Sequence, residues 1–355
     1  MITGHTGFKG GWLALWLKHL GASVHGISLP PPTNPNLHEV ICEFAFEGET
    51  ICDIRDLATT QAAIAQATPE VIFHLAAQPL VRQSYTEPLE TLTTNTLGTA
   101  HVLEAVRRLG LPCAIIVVTT DKCYQNRDDD RACRESDPLG GHDLYSTSKA
   151  AAELVVEGWR RSFFEADARL GSVASVRAGN VIGGGDYGQD RLVPDCVRAL
   201  LAGRPIEIRN PAATRPWQHV FDCLSGYLLL GARLTQAQRN SPLASAFNFG
   251  PGAQINPPVS AVVEEVLRLW PGQWQPVTTV NPPHEARSLN LAIDKAKALL
   301  GWTPVWGFRE AVRETVSWYR ERHVAGRRDM VKFSLAQIES YASAARANSV
   351  AWGSR

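Results

Sequence analysis

The chain has 355 residues with 35 basic and 35 acidic side chains, a balance that argues against a dedicated nucleic-acid binder. No stretch reaches the ~18 apolar residues of a membrane span, so neither nucleic acid nor membrane is an expected partner. The seven cysteines, scattered and without a CxxC pair, predict reduced thiols in a cytoplasmic protein and no metal-ligand cluster.

The chain opens MITGHTGFKGGWLALWL, with Gly4, Gly7 and Gly10 at three-residue spacing around Phe8 and Lys9. A GxxGxxG turn lets backbone approach a pyrophosphate, and the following helix (10–20) offers its N-terminal amides and positive dipole end. Only Met1 and Ile2 precede the loop, so the first strand is expected to be largely missing and the loop poorly anchored, as in an interior piece of a longer protein. Lys9 followed by an apolar run and GAS also fits a signal peptide, but that run is short and stops at Lys18-His19.

Residues 22–29 read as a strand ending at Ser28, where dinucleotide folds usually carry an acid ~20 residues past the glycines. NAD is the expected cofactor, with NADP left open. The segment ETICDI predicts a short strand ending in Asp53-Ile54. Asp53 there offers an acceptor for an adenine amino group, or equally a helix N-cap. A helix over 56–67 and a buried strand over 69–77 follow. The small residues Ala76 and Ala77 before Gln78 leave room for a cofactor. Helices are predicted over 88–109 and 145–165, strands over 113–120 and 171–181.

This alternation predicts an α/β fold, a Rossmann-type doubly wound parallel sheet, with a smaller C-terminal α/β substrate domain. Residues 1–181 form the dinucleotide-binding domain, and 217–249 return to it. The Pro- and Gly-rich segments 182–216 and 250–325 form the substrate domain, and 326–355 a tail without legible chemistry.

YSTSK places Tyr145 and Lys149 four apart, on one helix face. A nearby ammonium favours phenolate, which makes Tyr145 a candidate base. Thr120, at the end of the strand IIVVTT, lies about 25 residues earlier, in position to bond the same hydroxyl.

TGHTGFKG, HLAAQP, TNTLGT, TTDKCY, YSTSK and RAGNVIGGGD together resemble the extended short-chain dehydrogenase/reductases acting on nucleotide sugars, in order and spacing over roughly residues 1–320. Asp121-Lys122-Cys123-Tyr124, with GHTGFKGGWL, AAQPLVRQSY, RLVPD and RNPAATRPWQHV, resembles the CDP-glucose branch of the sugar-nucleotide 4,6-dehydratases.

The resemblance implies that Tyr145 takes the C4 hydroxyl proton while hydride leaves C4, that Thr120 orients that hydroxyl, and that Asp121 protonates the leaving C6 oxygen. Most such dehydratases have Glu as the C5 base where Lys122 stands here. Lys122 is then either an unusual base or a cation stabilising the enolate. The resemblance adds Asn95 to the cofactor contacts and assigns Asn180, Arg191, Arg209, Arg215 and His284 to the substrate. A homodimer paired through helices 88–109 and 145–165 is also implied. An epimerase of the same fold needs no acid at Asp121, and a non-catalytic dinucleotide sensor needs neither Tyr145 nor Lys149.

Overall fold

The computed structural model describes all residues except 126–130, 239, 253–255, 278–289, 351–352 and 354–355. Seven parallel strands form the central sheet: β1 (Ile2–Thr3), β2 (His25–Ser28), β3 (Gly48–Ile51), β4 (Val71–His74), β5 (Ala114–Val118), β6 (Val173–Ala178) and, after three short strands, β10 (Ala246–Phe249). Their order, β10-β6-β5-β4-β1-β2-β3, is that of a doubly wound sheet whose direction reverses between β1 and β4. Although β1 has two residues, it is paired on both sides: Ile2 and Thr3 stand opposite Gly26 and Ile27 of β2 and Phe73 and His74 of β4. The loop that follows is therefore anchored, contrary to the expectation.

Both faces of the sheet are covered. Along β5, Ala114, Ile116 and Val118 join one hydrophobic cluster, while Ile115 and Val117 join the other. The first cluster takes in α1 (Phe8–His19), α2 (His38–Ala45) and α9 (Val220–Thr235). The second takes in α3 (Leu57–Ala67), α6 (Gly98–Leu109) and α7 (Leu144–Trp159). This is why the central strands read as unbroken apolar runs rather than alternating ones. The capping is local: Asp56 accepts from Ala58 and Thr59 amides at the start of α3, and Asp143 from Ser146 at the start of α7.

The boundaries differ from the sequence reading at several points. The segment 88–109 is broken into α5 (Pro88–Leu92), a π-helical turn Thr93–Leu97 and α6, preceded by α4 (Val81–Thr86). The strand over 171–181 ends at Ala178, and β7 (Val181–Ile182) instead pairs with β9 (Gln218–His219). The third strand stops before Asp53. A second small sheet pairs β8 (Ile206–Ile208) with β11 (Trp274–Pro276), beside α8 (Leu192–Leu201) and α10 (Val259–Leu269).

Three C-terminal helices follow, α11 (Asp294–Leu300), α12 (Phe308–His323) and α13 (Met330–Ala347). The C-terminal tail, expected to be helical past AGRRD, contains α13, which packs on α1, α2 and α12. Tyr341 of α13 sits edge-on to Trp16, Phe221 and Trp306 with ring centroids 5.0–5.6 Å apart. Such aromatic pairs contribute about 0.5–1.5 kcal/mol each beyond the area they bury. The tyrosine hydroxyl donates to Asp222 at 2.7 Å. The apolar run that mimicked a signal peptide is α1, with Trp12, Leu13 and Leu15 fully buried. None of the seven cysteines is in a disulfide. Among the described residues no helix is long and apolar enough to cross a membrane.

Candidate active site

The reversal between β1 and β4 opens a crevice at the carboxyl ends of the strands, and the glycine loop lines it. Gly4 has φ +75°, and a Cβ there would lie 2.7 Å from the Ala76 amide nitrogen. At Gly10 a Cβ would stand 2.3 Å from the Gly4 carbonyl oxygen. Only glycine allows this turn to close upon itself and upon the end of β4. Gly7 is the N-cap of α1; no side chain caps that helix and no acid occupies its first turn. The free amides and the dipole suit a pyrophosphate, so the residues present fit a dinucleotide.

The acceptors around the loop are already engaged. Ser28, at the end of β2, bonds Thr6 of the loop at 2.9 Å, and no carboxylate stands there. Asp53 does not cap a helix: Asp56 does, and the Asp53 carboxylate holds the Arg55 guanidinium and amide. These hydrogen bonds keep Asp53 below the usual carboxylate range. Ile54 is buried against Gly98. Ala76 donates its amide to Thr3 Oγ1 at 3.1 Å.

A polar ladder ties this loop to α7. Thr3 Oγ1 bonds His74 Nδ1 at 2.7 Å, and His74 Nε2 bonds Thr99 at 3.0 Å. Burial pushes the His74 imidazole down to about 3, so it stays neutral. Asn95 is fully committed: its Oδ1 accepts from the Gln78 amide, and its Nδ2 donates to the Gln78 carbonyl and to Ser148 Oγ on α7. Gln78 in turn bonds Leu80 and Thr91 through its side chain. Ala77 lies half-buried between them.

At the end of β5, Thr120, Asp121 and Tyr145 meet. The Tyr145 hydroxyl lies close to Thr120, whose Oγ1 donates to Asp121 Oδ1 at 2.9 Å. Asp121 is buried, and its Oδ2 has no partner. Lys122 Nζ lies 3.5 Å from Asp121 Oδ1. Burial pushes the Tyr145 phenol up to about 12; the Thr120 bond and the Arg191 charge pull against it, and Asp121 adds to it.

Lys149, expected beside the phenol, is not among the main influences on it. Its ammonium donates instead to the Val118 carbonyl at 3.2 Å. Burial and the neighbouring Lys9 hold it down at about 8, while Glu153 opposes them. Burial also lowers Lys9, which makes no ion pair among the described residues. Phe8 beside it packs on Gly183.

The substrate candidates are spread along the rim. Asn180 Oδ1 is buried without a partner. Arg191 pairs with Asp186 at 2.8 Å within reach of Tyr145. Arg209 reaches Asp190 at 3.4 Å, and Arg215 donates to the Thr214 carbonyl at 2.7 Å. His284 lies outside the described residues.

Several neighbours had no local signature in the sequence. Arg82 reaches the same Asp190 oxygen as Arg209, also at 3.4 Å. Behind Lys149, Glu153 accepts from Thr119, from Ser175 at 2.7 Å and from Arg177 at 2.8 Å. Burial alone would raise Glu153, but Arg177 and these hydroxyls hold it below its usual value. Glu153 shares a helix face with Lys149, and that (i, i+4) spacing was its one available signal.

The family profile described as GDP-mannose 4,6 dehydratase matches residues 1–315. The chain is 43% identical over 348 residues to a CDP-glucose 4,6-dehydratase of Salmonella typhimurium, covering 97% of this chain and 96% of the relative. Among solved structures, a UDP-glucose 4-epimerase from Thermotoga maritima superposes with TM-score 0.78 at 23% identity, covering 90% of this chain and 98% of the other. MoeE5, solved in complex with UDP-glucose and NAD, superposes with TM-score 0.74 at 26% identity over the same shares.

Proposed function

The chain belongs to the GDP-mannose 4,6 dehydratase family, and from that premise we propose that it converts CDP-glucose to CDP-4-keto-6-deoxyglucose with loss of water. The observation that carries the reading is the buried, half-partnered Asp121 carboxyl beside Thr120 and Tyr145. It is supported by the 43% identity over nearly the full chain to a CDP-glucose 4,6-dehydratase.

NAD would be held by the Gly4–Gly10 turn and the amides of α1, and would supply a hydride acceptor for C4 and a donor for C6. Lys9, Ala76, Ala77 and Gln78 line its path, with Asp53 and Ile54 at the far end. Asn95 positions the Gln78 segment and ties it to α7. Thr120 fixes the C4 hydroxyl against Tyr145, and Tyr145 accepts that proton. With C4 a ketone, the C5 proton is acidic. Asp121 donates a proton to the C6 oxygen through its unpartnered Oδ2, and water departs. The C5 proton passes to Lys122 acting as base, or to another group while Lys122, its Nζ 3.5 Å from Asp121 Oδ1, stabilises the enolate as a cation; C5 regains a proton once C6 is reduced. Lys149 holds α7 to the end of β5 through the Val118 carbonyl. Asn180, Arg191, Arg209, Arg215 and His284 bind the nucleotide diphosphate, for which guanidinium forks suit bidentate contacts.

An epimerase needs no acid at the C6 oxygen, so Asp121 favours the dehydratase over that alternative. We further propose a cytoplasmic homodimer. It is supported by Leu89, Leu97 and Leu154, 75%, 52% and 62% exposed on the helices that flank this face. Light scattering at the mass of a single chain, 38.8 kDa, would oppose the dimer. The function is tested by incubation with CDP-, UDP-, GDP- and dTDP-glucose and NAD. Loss of water from CDP-glucose, with no net change in the nicotinamide pool, is expected; inertness toward all four overturns the reading.

A further inference from the structure

Under α1 and α2, on the face of the sheet opposite α6 and α7, three side chains from separate segments converge. They are His5 of the glycine loop, His38 at the start of α2 and Glu49 on β3. His5 Nε2 lies 2.8 Å and His38 Nε2 2.5 Å from the same oxygen, Glu49 Oε1. One ligand atom from each falls within 4.8 Å of the other two.

The His5 ring is fully buried and fixed in place. It lodges over Gly26, where a Cβ would come within 2.4 Å of it. Despite its neighbours, neither ring nitrogen of His5 has a hydrogen bond of good geometry. A buried imidazole 2.8 Å from a carboxylate but poorly aligned with it is costly unless something else completes the group. Phe46 walls the cluster, 5.0 Å from the His5 ring and 5.8 Å from that of His38. The His38 and Glu49 side chains stay 16% and 27% exposed, which leaves an opening for an ion and a water.

We propose that His5, His38 and Glu49 bind one divalent transition cation of the zinc type, with solvent water in the fourth position. Two imidazoles and a carboxylate are the donor set such ions prefer over magnesium or calcium. Tetrahedral bonds of about 2.0–2.2 Å require the two nitrogens to move back from Glu49 by less than ~1 Å. His38 and Glu49 can make that shift at the open side while His5 stays in place. The ion clamps the glycine loop, α2 and β3 together.

The test uses untagged full-length protein stripped with a chelator. Titration with zinc chloride is followed by calorimetry, and titration with cobalt(II) by its visible absorption. Expected are about one equivalent bound, tetrahedral cobalt bands, and a melting temperature raised by zinc. His38→Ala and Glu49→Gln should each weaken binding at least ~10-fold. No uptake at micromolar metal overturns the site, as does uptake that both folded variants retain. Should one variant fail to fold, the other decides.

Discussion

Asp121 lies directly against Gly179: a Cβ at the glycine would stand 3.0 Å from Asp121 Oδ2 and 2.9 Å from Pro216. That oxygen is the one left without a partner. Gly179→Ala should therefore push the carboxyl away from the C6 oxygen while costing about 1–3 kcal/mol of stability through overpacking. The expected signature is a fall in kcat larger than any change in KM for the sugar nucleotide. Unchanged kcat would remove Asp121 Oδ2 from the chemistry.

Asp121→Asn keeps the hydrogen bond from Thr120 but cannot donate a carboxyl proton. Water loss should fall by about 10²–10⁴-fold. Oxidation at C4 should persist, seen as NADH absorbance that builds up and is not discharged. Lys122→Gln separates the two roles left open for the lysine. A cation stabilising an enolate leaves slow exchange of the C5 proton with deuterated solvent, whereas loss of the base abolishes it.

Tyr145→Phe should reduce kcat by about 10²–10⁴-fold with bound cofactor content retained. The phenol, at about 12 without ligands, is held up mainly by burial and pulled down by Thr120 and Arg191. Removing that cation with Arg191→Gln should move the acid limb of kcat/KM to higher pH. A pH profile that coincides with that of the wild type would show that Arg191 does not tune the base.

Asp222 offers a stability test away from the chemistry. Burial raises its carboxyl from 3.8 to about 6, against opposing bonds from Val305, Tyr341 and Trp306. Between these values the native state binds more protons than the unfolded chain, so stability falls as pH rises, and the loss is complete above about 6. Asp222→Asn retains an Oδ1 acceptor and does not titrate. Wild type should lose about 1–3 kcal/mol between pH 4 and 7 that the variant keeps. Denaturant midpoints at the two pH values measure the difference.

Features whose chemistry is set by near neighbours were legible in the sequence. The turn at Gly4, Gly7 and Gly10, Thr120-Asp121 at a strand end, and Tyr145 with Lys149 on one helix face depend on spacings of a few residues. What escaped depends on distant segments meeting. Gly179 matters because Asp121 lies against it, and His5 because Gly26 leaves room beneath it. The N-cap alternative for Asp53 fails for a local reason: Asp56 caps the helix, and Arg55, two residues on, holds the Asp53 carboxylate. Lys149 was expected to face Tyr145 by helical spacing, but its long side chain reaches past it to the β5 carbonyl.

The packing of α13 on α1 has a consequence for how the protein is made. The helix that presents the glycine loop is synthesised long before the Tyr341 that packs on Trp16. Until α13 has left the ribosome, Trp16 lacks that neighbour and the loop rests on an incomplete core. Capacity to hold a dinucleotide should thus be acquired only once α13 has emerged. Nascent chains arrested before α13 emerges should remain more open to protease around α1 than finished ones.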